Sequence, residues 1–371
     1  MPIRSEWSLA REGITRDTLV NLLKLTAFNP ALTLPIFLLA RYTQQGSSLA
    51  SQHSNAFKHL KTLLGLGLFN TASTWLSNRT INNWTSDKYD WDREVVVVTG
   101  GSDGIGKIVV QLLAEKGIKV AVLDVQDLTY EAPPSVSFFK CDLSSPKAIA
   151  ETASSIRAAL GNPTILINNA GVARGKNILE STEKDINLTF RVNAMSHYYL
   201  AQQFLPHMIS TNHGMIVTVA SIAAYVPAPN MVDYCSSKAA ALTFHEGLSA
   251  ELVNTYKAPK VRTVAVCQGY TRTALFEGFN PNGALYPETV AEAIVKAVLS
   301  GKSQHVVLPE NVWGVLPKLR GFPLWMQYGV RKRLGGLMKD WKGRQVVQPS
   351  EVGEEGGEKK VDESTVFVGK E

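Results

Sequence analysis

The stretch that most constrains this chain is Glu94-Val95-Val96-Val97-Val98-Thr99, followed at once by Gly100-Gly101-Ser102-Asp103-Gly104-Ile105-Gly106. A β-branched run with no polar alternation suits a strand buried on both faces, as in a parallel sheet. Parallel strands need a crossover. Helical periodicity begins directly after the glycines, through Ile108, Val109, Leu112 and Leu113, and runs to Gly117. Lys119–Asp124, Val136–Lys140, Thr164–Asn168, Met215–Ala220 and Val261–Cys267 read as further strands, with crossover helices such as Pro146–Leu160 between them. The expected fold class is α/β, a doubly wound parallel sheet.

Glycines between a strand and a helix expose backbone N–H groups to an anion, with the positive end of the helix dipole behind them. Gly100, Gly104 and Gly106, framed by Thr99, Ser102, Asp103 and Ile105, are expected to hold a dinucleotide's pyrophosphate. Their spacing, G-x-x-x-G-x-G, differs from the generic dinucleotide fingerprint. Asp124 ends the second strand, where a carboxylate accepts from the adenosine ribose hydroxyls and repels a 2′-phosphate. The turn carries no basic residue to pair with that phosphate, so NAD is expected over NADP. The alternative for Asp124 is a plain strand-end turn residue.

Farther along stands Tyr234-Cys235-Ser236-Ser237-Lys238. On a helix this spacing puts phenol and ammonium on one face, one turn apart. A lysine there is expected to stabilise the phenolate and bring the tyrosine pKa towards working pH. A dinucleotide site combined with an activated tyrosine points to hydride transfer at a carbonyl carbon.

Thr99–Gly106, Asn168-Asn169-Ala170-Gly171, Ser221 and Tyr234-x-x-x-Lys238 together resemble the short-chain dehydrogenases/reductases over about residues 93–309. Ile216–Ser221 with Tyr234–Lys238 is similar to the retinol and 17-beta-hydroxysteroid dehydrogenase branch, whose members are often bound to membranes or lipid droplets. The resemblance implies a Rossmann fold with Tyr234 as general acid/base. Lys238 lowers its pKa and binds the nicotinamide ribose, and Ser221 donates to the substrate oxygen. Asn193 helps hold a relay water. Asp142 and Leu143 lie near the adenine, and Asn169, Ala170 and Gly171 border the cofactor. Gly269 and Thr273 meet the nicotinamide carboxamide, although Gln268 stands where the family usually has proline. A homodimer through helices Asn193–Asn212 and Met231–Tyr256 is also implied.

Outside this domain the composition changes. Residues 1–92 hold two apolar stretches, Leu25–Ala40 and Leu60–Leu76, separated by a polar link. The first is shorter than the ~20 apolar residues that span a bilayer. The charged residues before it and the missing small-residue cleavage pattern argue against a cleaved signal. The segment reads either as a monotopic membrane or lipid-droplet anchor or as a helical subdomain packed on the core. Residues 310–344 mix Trp313, Leu316, Trp325, Tyr328 and Trp341 with Lys318, Arg320, Arg331 and Lys339. They read as a substrate lid or lipid-contact surface, or as a helix covering the sheet. The Gly/Glu-rich tail, 345–371, is expected to be disordered.

The net charge of +6 is mild and does not call for nucleic acid. No zinc-ligand spacing is present, so no metal is expected. Three scattered cysteines, Cys141, Cys235 and Cys267, fit a reducing, cytosol-facing compartment. The leading reading is an NAD-dependent dehydrogenase for a lipophilic alcohol (a sterol, retinoid or long-chain alcohol) at the endoplasmic reticulum or a lipid droplet. The alternatives are an NADPH-linked lipid ketone reductase and a non-catalytic lipid-surface scaffold.

Overall fold

The computed structural model describes residues 3–5, 9–277, 284–310, 315–336, 341, 343–346 and 365–366. It divides into two compact units, Gly13–Trp84 and the remainder, Met1–Glu12 with Thr85–Glu371.

The smaller unit is helical: α1 (Arg16–Leu25), α2 (Pro30–Tyr42), α3 (Gln44–Gln52) and α4 (Ser54–Ile81). Local chemistry sets its breaks. Thr15 and Thr18 form a capping box at α1, and Asn29 accepts from Ala31 N to start α2, with Pro30 as first residue. The polar link between the apolar stretches is itself helical, because Thr43 accepts from Gly46 N and starts α3. Gly67 lets α4 approach the chain before α2, since a Cβ there would lie 2.5 Å from Phe28 O. Leu19, Leu22, Leu32, Ile36, Leu39 and Phe69 remain exposed. Among the described residues no single helix is long and apolar enough to cross a membrane; α1 and α2 together, bent by 46°, have the length and composition.

The larger unit alternates β1 (Val95–Thr99), α5 (Gly104–Ala114), β2 (Lys119–Asp124), β3 (Val136–Lys140), α6 (Pro146–Leu160), β4 (Ile165–Asn168), α7 (Glu183–Phe190), α8 (Ser196–Thr211), β5 (Met215–Val219), α9 (Val232–Asn254), β6 (Arg262–Gln268), α10 (Pro287–Leu299) and β7 (Gln304–Leu308). A further helix, α11, spans Leu324–Arg333. The strands form one parallel sheet in the order β3-β2-β1-β4-β5-β6-β7. This is the doubly wound sheet expected from the sequence.

Side-chain alternation along β1 explains the two layers. Val96 and Val98 face α5 and α10, meeting Val109, Leu113 and Ile294, whereas Val97 faces α6 and α8 with Ile149, Leu200 and Phe204. Strand order reverses between β1 and β4, and loops diverging there open a crevice at the strands' carboxyl ends. Two local features differ from the sequence pattern. β7 is an extra strand at the sheet edge, half-buried, so its Gln304 and His305 need no apolar run. The helix expected from Asn193 instead opens on a π turn, Arg191–Met195, before α8.

Candidate active site

The glycine turn leaves β1 with Gly100 at φ +66° and enters α5 with Gly104 at φ +59°, both left-handed conformations that favour glycine. Gly106 is needed for contact: a Cβ on it would lie 2.0 Å from Gly100 O. Thr99 and Asn169 tie the turn to the end of β4. Thr99 Oγ1 accepts from Asn169 N at 3.0 Å and Ala170 N at 3.1 Å, and Asn169 Nδ2 donates to Thr99 O at 3.0 Å and Gly100 O at 3.1 Å. These bonds hold the carboxyl ends of β1 and β4 together.

Asp124 ties the turn to β2. Its carboxylate accepts from Ser102 N at 3.0 Å and Gln126 N at 3.1 Å, and Ser102 Oγ donates to Gln126 O at 2.9 Å. Burial pushes the carboxyl pKa up, against the pull of these backbone N–H groups. Each carboxylate oxygen keeps a further acceptor position for a ribose hydroxyl. Asp142 Oδ1 accepts from Ser144 N at 2.8 Å, and its neighbours Cys141 and Leu143 line the cavity wall.

Tyr234 and Lys238 lie one turn apart on α9, with Lys238 Nζ 5.8 Å from the Tyr234 ring centre. Ser221 follows β5 and caps a short 3-10 turn, accepting from Ala223 N at 3.1 Å. Its Oγ also donates to Gln268 O at 3.4 Å, and the nearness of this hydroxyl draws the Tyr234 phenol pKa down. Burial is the larger effect: Tyr234 is only 4% exposed, and its pKa stands well above the ordinary range. The expected lowering by Lys238 is therefore not met by these side chains alone. Lys238 Nζ instead donates to Val219 O at 2.8 Å, and burial lowers its own pKa to about 8.

Asn193 sits on the π turn, fully buried. Its Oδ1 accepts from Val172 N and its Nδ2 donates to Val172 O, each at 2.8 Å, with a third bond to Ser237 Oγ at 3.0 Å. It thus joins the loop after β4 to α9. Gly171 runs between: a Cβ there would lie 3.4 Å from Lys238 Nζ and 3.6 Å from Asn193 Oδ1.

These elements enclose a cavity of about 460 Å³. One end is lined by Asp124, Gln126 and Leu143, the middle by Gly100, Gly104 and Gly171 with Ser221, Tyr234 and Lys238. Met231, Leu275, Phe276, Leu316, Val330 and Leu334 make the far end apolar. Ile105, Asp103, Asn169, Ala170, Gly269 and Thr273 also line it, whereas Thr99, Ser102, Gly106, Asp142 and Asn193 stand behind the wall as supports. Leu316, Val330 and Leu334 come from the aromatic and basic segment, whose Leu324 and Trp325 stay exposed. Trp313 and Lys339 lie outside the described residues, as does most of the tail beyond 346. Arg344, which sequence reasoning missed, reaches the cavity too.

The chain matches the short chain dehydrogenase family over residues 94–283. It is 46% identical over 208 residues to Dehydrogenase RED2 of Cochliobolus heterostrophus, covering 55% of this chain and 78% of that one. Estradiol 17-beta-dehydrogenase 11 of Homo sapiens is 31% identical over 230 residues, covering 59% and 76%. A solved short chain dehydrogenase from Burkholderia cenocepacia J2315 in complex with NADP is 28% identical, with a TM-score of 0.54 over 65% of this chain and 97% of that one.

The chain belongs to the short-chain dehydrogenase/reductase family, in the branch of the retinol and 17-beta-hydroxysteroid dehydrogenases. It is an oxidoreductase acting on CH–OH groups with a nicotinamide cofactor. The cavity fits such a group. Gly100, Gly104 and Gly106 form a cradle that added Cβ atoms would strain or fill, and Gln268 Oε1 is buried at the cavity wall without a partner among the described residues. That oxygen offers an acceptor to a carboxamide N–H.

Proposed function

We propose that this protein is an NAD-dependent dehydrogenase that interconverts a lipophilic alcohol and its carbonyl. The observation that carries the reading is one cavity in which Ser221, Tyr234 and Lys238 line the wall together and border Met231, Leu275, Phe276 and Leu334. Gly100, Gly104, Asn169 and Gly171 would hold a nicotinamide dinucleotide in this cavity, and its chemistry would be that of a hydride acceptor in oxidation and a hydride donor in reduction. Tyr234 takes the alcohol proton or returns it to the carbonyl oxygen. Ser221 donates to that oxygen as charge develops on it. Lys238 keeps a positive charge beside the phenol, and its ammonium donors suit the ribose hydroxyls. Asn193 holds the loop carrying Gly171 and Val172 against α9.

Asp124 supports NAD, because a buried carboxylate at the end of β2 repels a 2′-phosphate. The NADP held by the Burkholderia cenocepacia relative supports the competing NADPH-linked reductase reading. Exposed leucines on α1 and α2, with Ile36, support attachment to the endoplasmic reticulum membrane or a lipid droplet, with the catalytic unit in the cytosol. A homodimer through α8 and α9 is proposed with it.

The test is NADH formation by detergent-solubilised protein on a panel of sterols, retinol and long-chain alcohols, with NADP in parallel and Tyr234→Phe as blank. NAD-linked turnover that disappears in the variant supports the reading. Activity confined to NADPH-driven reduction refutes the cofactor assignment, and inactivity with every alcohol and ketone favours a scaffold.

A further inference from the structure

The cavity has a wall supplied from far along the chain. Trp341, Gly343, Arg344 and Gln345 lie across the loops that follow β4 and β6. Trp341 Nε1 donates to Leu275 O at 3.0 Å, and its ring rests on Gly175, where a Cβ would be 1.9 Å away. Arg344 N donates to Ala274 O at 2.9 Å. Gln345 Nε2 donates to Ala173 O at 3.0 Å, and its Oε1 accepts from Arg174 Nη1 at 2.8 Å. This strap aims one side chain at the glycine turn: Arg344 Nη2 donates to Asp103, and both residues line the cavity.

Among the described residues lining the cavity, the cations are Lys238 and Arg344. Lys238 stands beside Tyr234, so Arg344 is the cation at the glycine turn. Two carboxylates, Asp103 within the turn and Asp124 bonded to Ser102 N, also line the cavity. A pyrophosphate seated there without a cation would face charges of its own sign. A guanidinium has five N–H donors, so it can hold Asp103 and still offer donors to a phosphate.

We propose that Arg344 is a cofactor-binding residue, brought by the C-terminal strap to the dinucleotide's pyrophosphate. This rests on reading the cavity as a dinucleotide site. Charge-assisted bonds of this kind are the strong ones, and losing one weakens affinity about tenfold or more.

The test is the dissociation constant of NADH and of NADPH, read by fluorescence, for the full chain and for Arg344→Ala, Asp103→Ala and the double variant, with thermal melting to verify folding. Arg344→Ala should weaken both nucleotides at least about tenfold, and Arg344→Lys, which keeps the charge, should weaken them less. Asp103→Ala removes a carboxylate beside the phosphates and should tighten binding, and the double variant should remain weaker than Asp103→Ala. Unchanged affinity in folded Arg344→Ala overturns the proposal. So does a double variant that binds as tightly as Asp103→Ala, since Arg344 would then only mask Asp103. A loss confined to NADPH overturns the pyrophosphate assignment in favour of a 2′-phosphate contact. If the unmodified protein binds neither nucleotide, the dinucleotide reading itself fails.

Discussion

Replacing Gly106 by alanine isolates the contact on which the cofactor turn depends. The added Cβ would lie 2.0 Å from Gly100 O, 2.6 Å from Asn169 Nδ2 and 2.8 Å from Gly100 C. Two of these atoms are backbone, so no side-chain rotation relieves the clash. Real Cβ atoms essentially never come within 3.0 Å, so α5 or the turn must retreat by about 1 Å. That movement strains the Asn169 Nδ2 bond to Gly100 O, now 3.1 Å, which couples the turn to β4. Overpacking costs about 1–3 kcal/mol, and a weakened buried hydrogen bond adds about 1 kcal/mol. Gly106→Ala should therefore lose about 2–4 kcal/mol in urea unfolding. NADH affinity should fall with it, because the cradle is displaced. Gly247 is the control. It lies within α9 with nothing within 4 Å of its added Cβ, so Gly247→Ala should gain about 0.5–1 kcal/mol. The reasoning fails if Gly106→Ala unfolds at the same urea concentration as the parent and binds NADH equally well.

Tyr234→Phe should reduce turnover by about 10²-fold or more while leaving NADH affinity within a few-fold, since it removes the phenolic proton and keeps the ring; stopped-flow turnover and fluorescence titration would check both. Lys238 gives a pH-dependent stability effect. Its pKa is about 8 in the folded protein against 10.5 ordinarily, so the folded state binds fewer protons than the unfolded one between those values. The burial penalty is fully present below pH 8 and is relieved as pH rises through 8 to 10.5. Urea unfolding at pH 7 and pH 10 should show wild type closing its deficit relative to Lys238→Met by a few kcal/mol. A deficit that widens with pH would contradict the burial argument.

The sheet and most of the site were legible because their signals are local. An uninterrupted valine run, a glycine turn and a tyrosine four residues before a lysine each specify their surroundings over a few residues. Asp124 was legible too, as the last residue of a strand. What escaped depends on tertiary context. β7 hides because an edge strand tolerates Gln304 and His305. The π turn at Asn193 has no pattern in Arg191–Met195, yet it carries the amide that makes both bonds to Val172. That Asp142 Oδ1 accepts from Ser144 N while its neighbours Cys141 and Leu143 line the wall also emerges only in the fold. Arg344 was out of reach, because its partner Asp103 is 241 residues away and only the folded chain unites them.

The two buried titratable groups also determine when the tyrosine can act as a base. Burial lifts the Tyr234 phenol above its ordinary range and lowers the Lys238 ammonium to about 8, so it pushes the two groups away from the phenolate–ammonium pair that favours proton abstraction. Ligands that return charge or hydrogen bonds to this pocket must bring the two titrations towards each other, because Coulomb attraction is strong where water is excluded. Ultraviolet difference titration of wild type against Tyr234→Phe tests this directly. Tyr234 should ionise above its ordinary 10.0 in the free protein and at a lower pH with nucleotide bound. Ionisation below 10.0 without ligand would mean that Lys238 activates the phenol unaided, and that burial is the weaker effect.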